Sequence, residues 1–101
     1  MSVTISESEN SWLIRVGGQA TLGDAAELKS LLVGCLSSGK KLEIDLERVE
    51  EIDITILQLL AAAGREAARD GRVIVGRASA AVMAAVRDAG FDQAPGFPIS
   101  V

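Results

Sequence analysis

The sequence predicts an α/β fold built on a small mixed β-sheet, in the order β-β-α-β-α-β-α. Three observations predict it. Two short runs alternate apolar and polar residues across a polar turn at the start of the chain, which is the pattern of a hairpin. Three later stretches repeat apolar residues at steps of three and four, with short apolar runs between them. Strands that alternate with helices are joined by crossovers and so pair in parallel. Apolar residues make up 49% of the chain but aromatic residues only 3%, so Ala, Leu, Ile and Val fill the interior, which suits helix-on-sheet packing. At 101 residues, without a repeat, linker or low-complexity segment, the chain reads as one domain over 1–101.

The first strand is expected over Val3 to Ser6 and the second over Trp12 to Val16. Trp12, Ile14 and Val16 share one face of the second strand, and Gly17-Gly18 is expected to end it. Thr21 is placed to cap the first helix, with Asp24 where a carboxylate completes a capping box. Leu28, Leu31, Leu32, Cys35 and Leu36 form the buried stripe, and Gly39 is the natural stop. In "KKLEIDL", Leu42, Ile44 and Leu46 alternate with Glu43 and Asp45, predicting a strand of about five residues. An acidic loop with Glu47, Glu50 and Glu51 follows it. The second helix carries Ile56, Leu57, Leu60, Ala61, Gly64 and Ala68 on one face, with Arg65, Glu66, Arg69 and Asp70 on the wet side. Gly71 ends it, and "RVIVG" reads as a short apolar strand. Ser79 caps the third helix, whose stripe is Val82, Met83 and Val86 and whose end is Gly90. The tail "FDQAPGFPISV" is broken by Pro and Gly, yet Phe91, Phe97 and Ile99 are expected to lay it against the core.

Composition excludes several function classes. A net charge of -4 without a basic run argues against nucleic acid or anionic lipid as an electrostatic partner. The single cysteine cannot form an internal disulfide and fits a reducing cytosol, so the expected location is cytoplasmic. No apolar run approaches the roughly 18 residues of a membrane span, so no direct membrane insertion is expected. The chain has no His, hence no imidazole base and no ordinary zinc site. Cys35 has no partner to activate it as a nucleophile. "GGQATLG" lacks the Lys and Ser/Thr that cradle phosphate and magnesium in a Walker loop. The expectation is a non-enzymatic protein without cofactor or metal.

Three strings, in order and at these spacings, resemble the STAS domain family, which includes the bacterial anti-sigma factor antagonists. "VGGQATLGDAAELKSLL" is similar to the family's glycine-led entry into its first helix, "LEIDLERVEEID" to its central strand and the following loop, and "AGFDQAPGFPI" to its exit from the last helix. "LQLLAAAGREA" is similar to the second helix of stand-alone chemotaxis-associated members. The resemblance spans nearly the whole chain. It implies a small mixed sheet with helices packed mainly on one face, and a regulatory protein-interaction module. The implied partner is a histidine-kinase-like anti-sigma factor or a chemotaxis signalling protein. The alternative it implies is a STAS-like accessory subunit of a bacterial lipid-transport ABC system.

In that family the loop after the central strand commonly reads Asp, Ser or Thr, a small residue, Gly, Leu, and a partner kinase phosphorylates the hydroxyl residue. Here the matching positions are Asp53, Ile54, Thr55, Ile56 and Leu57. The resemblance makes these five the expected partner-binding residues. Ile54 removes the usual hydroxyl and Ile56 replaces the glycine, so the phospho-switch is expected to be altered or absent. Thr55, one position later, is the displaced candidate for phosphorylation. The residues themselves offer plainer roles. Asp53 suits the N-cap of the second helix, the Thr55 hydroxyl can bond locally, and Cys35 and Trp12 are packing residues.

Overall fold

The computed structural model describes residues 1–99; Ser100 and Val101, the end of the tail expected to lie on the core, fall outside the described residues. Strands β1 (Ser2–Glu7), β2 (Ser11–Ala20), β3 (Lys41–Ile52) and β4 (Val75–Ala78) form one sheet in the order β1-β2-β3-β4. β1 and β2 pair antiparallel, whereas β2–β3 and β3–β4 pair parallel, giving the mixed sheet the sequence implied. The helices are α1 (Ala25–Ser37), α2 (Ile54–Arg69) and α3 (Ala80–Asp88), so the chain order is the expected one.

Successive strand residues point to opposite faces, and the two faces differ in kind. Ile14 and Ile44 lie side by side on the inner face and are buried with Leu28 and Leu32 of α1, Leu60 of α2, and Val82 and Val86 of α3. All three helices thus contribute to one aliphatic core. No polar side chain is buried among the described residues. On the outer face, Thr4, Arg15, Asp45 and Arg77 stand in register across all four strands.

The two central strands are longer than the sequence predicts. Gly17-Gly18 does not end β2, which runs to Ala20, and β3 is 12 residues long. The residues expected to form an acidic loop after β3 lie within it. The cause is paired irregularity: as β2 advances from Arg15 to Gly17, β3 advances from Asp45 to Arg48, and a second slip follows at Gly18. A bulge leaves an extra residue on one strand and breaks period-two alternation without ending the ladder. Glu47 and Arg48 are therefore both exposed, as are Glu50 and Glu51, while Val49 between them is buried. Gly18 takes φ 78°, a left-handed conformation suited to glycine, at the second slip.

β4 also differs: it begins at Val75, not Arg72. The Arg72 N–H instead donates to Ala67 O at 2.8 Å, closing the end of α2 behind Gly71 at φ 70°. Val73 and Val75 are exposed, so the apolar run is not buried on both faces. On α2, Ala63 and Ala67 are buried and Ala68 is exposed, a shift of the stripe by one position at its end.

The caps follow the sequence. The Thr21 N–H donates to Asp24 Oδ2 at 2.9 Å, opening a 3-10 turn that leads into α1. Ser79 Oγ accepts from Val82 N–H at 3.2 Å at the start of α3. The tail lies on the core: the Phe91 and Phe97 rings stack with centroids 5.3 Å apart, and Ile99 is buried.

Candidate functional site

The long parallel pairing of β2 with β3 brings Ala20 opposite Ile52, so both strands leave the sheet side by side. The next residue, Asp53, has extended backbone (φ -96°, ψ 168°), and its N–H donates to Ala20 O at 3.1 Å. Its carboxylate then serves two segments. Oδ1 accepts from the Thr55 N–H at 3.0 Å and the Ile56 N–H at 3.3 Å, capping α2. Oδ2 accepts from the Leu22 N–H at 2.6 Å, in the turn before α1. A negative charge here also suits the positive end of the helix dipole.

The five residues singled out by the sequence divide sharply. Ile54 is 55% exposed, an uncommon state for a large β-branched apolar residue on the first turn of a helix. Asp53 and Thr55 are half-buried. Ile56 and Leu57 are 1% and 2% exposed and belong to the core cluster, so their side chains do not reach the surface where a partner would bind. Of the five expected partner-binding residues, only Asp53, Ile54 and Thr55 are therefore accessible at the start of α2. The physical reason is helical geometry: positions three and four along the first turn point back to the sheet while the first points out.

Leu22 was missed by sequence reasoning. It is 65% exposed and is tied to Asp53. The signal was present, since Leu22 lies in a "TLGD" turn before the buried stripe begins at Leu28. Leu22 and Ile54 thus present two apolar side chains from either side of one carboxylate clamp. The other singled-out residues have structural surroundings. The Trp12 indole N–H donates to Ser38 Oγ at 3.0 Å, with Lys40 Nζ 5.6 Å from the ring. Cys35 is buried, and burial, followed by the nearby Glu7 charge, pushes its thiol pKa above the ordinary value. A raised pKa disfavours the reactive thiolate. Among the described residues no cluster of three His, Cys, Asp or Glu could hold a metal ion, and no helix is long and apolar enough to cross a membrane.

A family model described as "Mlab, STAS domain" matches residues 3–99. No curated protein matches the sequence. Among solved structures, the chain is similar to an anti-sigma factor antagonist from Mycobacterium paratuberculosis, with 22% identity over 97% of this chain and 86% of that one and a TM-score of 0.76. It is similar to a variant of Moorella thermoacetica RsbS, with 22% identity over 100% of this chain and 88% of that one and a TM-score of 0.74. It is also similar to the anti-sigma factor antagonist SpoIIAA in its unphosphorylated form, with 13% identity over 94% of this chain and 99% of that one and a TM-score of 0.72. At these identities the structures establish a common fold.

Proposed function

The chain belongs to the STAS domain family, and from that premise we propose that it is a non-catalytic, cytoplasmic regulatory module. It binds a histidine-kinase-like anti-sigma factor or a related signalling protein, such as one of a chemotaxis system, through the start of α2. The observation that carries this reading is the exposed Ile54 beside the Asp53 cap, at the position where the family's pattern has its hydroxyl. Phosphorylation there would add roughly 1.5 to 2 negative charges next to the Asp53 carboxylate and oppose docking. With Ile54 in place, that charge has no acceptor at the usual point. The module then stays in its unphosphorylated, binding-competent state, and Thr55, half-buried in the first turn, keeps a local role.

The test is intact-mass measurement after incubation with the cognate kinase and ATP. The native chain should gain no mass, and Ile54→Ser should gain one phosphate. A single phosphate on the native chain, lost in Thr55→Ala, would overturn the reading.

A second reading, a STAS-like accessory subunit of a bacterial lipid-transport ABC system, is favoured by the family model, whose description joins the STAS domain to the name Mlab. The fold serves both readings. Purification from the native host separates them: a histidine-kinase-like ATPase that co-purifies and depends on Ile54 supports the first, and an ABC ATPase supports the second.

A further inference from the structure

On the outer face of the sheet, opposite the helices, the β3 bulge does more than lengthen the strand. Strict alternation from Asp45 would turn Arg48 inward; the extra residue turns it outward beside Gly17, its partner in register. Gly17 is buried, and a Cβ there would sit 3.0 Å from Ser2 Oγ and 3.3 Å from Arg48 Cβ. The missing side chain is therefore the floor of a depression of about 410 Å³. That size lies in the range of small-ligand sites.

Its walls carry Arg15, Arg48 and Arg77 against Asp45 and Glu47. Three guanidinium groups and two carboxylates leave one net positive charge, on a chain whose total is -4. The carboxylates organise the arginines without exhausting them. Asp45 Oδ1 is held by the Glu47 N–H at 2.9 Å, and Oδ2 faces Arg15 Nε at 3.5 Å and Arg77 Nη2 at 3.6 Å. Arg77 Nε faces Glu47 at 3.5 Å. Arg15 engages through Nε, and its two terminal nitrogens make no hydrogen bond among the described residues. Arg48 has no ion pair or side-chain hydrogen bond among the described residues. Thr4 adds a hydroxyl at the rim.

We propose that this groove is a binding site for a small phosphate-bearing anion. Planar guanidinium forks match phosphate oxygens in pairs of parallel hydrogen bonds. Arg48 supplies the first fork, the terminal nitrogens of Arg15 the second, and Asp45 keeps Arg15 oriented. The groove shares no lining residue with the start of α2.

The experiment is amide NMR titration of the full chain with inorganic phosphate and, separately, glycerol 3-phosphate, at constant ionic strength with chloride as reference. Saturable shifts should concentrate on Thr4, Arg15, Gly17 and Arg48. Arg48→Gln, whose spectrum without ligand should otherwise superimpose on the native one, should weaken binding about tenfold. Arg69→Gln, whose arginine pairs with Glu66 on the exposed side of α2, should leave it unchanged. Co-sedimentation with phosphatidylglycerol against phosphatidylcholine vesicles locates the source of the phosphate. Arg48-dependent sedimentation assigns a lipid headgroup, and saturable soluble binding without sedimentation assigns a free ester. The proposal is overturned if neither probe binds. It is overturned equally if shifts fail to saturate, match those of chloride, or survive Arg48→Gln, since these mark general ion screening.

Discussion

Asp53 holds three backbone N–H groups with one carboxylate, and only two belong to the helix it caps. A sequence can nominate an Asp before an apolar helix as a cap, because the first-turn donors are always in need of partners. It does not show that the third N–H is that of Leu22, which arrives through the pairing of β2 with β3. The expected cost of Asp53→Ala is therefore about 2 kcal/mol, above the ~1 kcal/mol typical of a lost cap. Asp53→Asn, which keeps an acceptor, should cost less than half of that. Urea denaturation of the two variants checks it; equal costs would mean that the carboxylate charge, and not the retained acceptor, holds the clamp together. Ile54 shows the same division. Its identity at the acceptor position was legible, but its exposure follows from where α2 lies on the sheet. The same placement buries Ile56 and Leu57.

At the scale of elements, two helical glycines separate what propensity controls from what packing controls. Gly34, within α1, has open space where a Cβ would lie. Gly64, within α2, is covered by the tail: a Cβ there would collide with the Gly96 carbonyl oxygen and lie 3.4 Å from Pro98 Cδ. Gly34→Ala should therefore stabilise the protein by roughly 0.5 to 1 kcal/mol, the usual gain in helix propensity. Gly64→Ala should destabilise it by about 2 kcal/mol or more, because the tail must lift from α2 and overpacking outweighs propensity. Thermal or urea unfolding reads both signs; a stabilising Gly64→Ala would show that the tail is not anchored there. The helices were legible as elements because their stripes, caps and glycine stops agree with one another. The strand limits were not. Bulges at Glu47–Arg48 and Glu50–Glu51 erase the alternation by which a strand is recognised, and residues lying in the ladder read as a loop.

At the scale of the whole molecule, β3 is, among the described residues, the only strand paired in parallel on both sides, and its inner residues Ile44 and Leu46 are buried with all three helices. Its amides should exchange with solvent most slowly, since opening them requires the loss of both neighbours and the core. Native-state hydrogen exchange should rank Ile44 to Leu46 as most protected, and the free-edge amides of β1 and β4 as least. Comparable protection in β1 would show that this edge is covered in solution.

The sequence by itself determined the element order, the parallel pairing, the aliphatic core and the cap at Asp53. Each of these follows from local periodicity, from the partner needs of helix ends, or from the reach of a crossover. Only the tertiary structure decided that Leu22 joins Ile54 at one end, that Gly64 and Gly76 receive the tail, and that Arg48 turns outward beside Gly17. Those outcomes depend on which strands extend past their bulges and which backbones approach closely. Both are set by contacts between residues far apart in the chain, which no local pattern encodes.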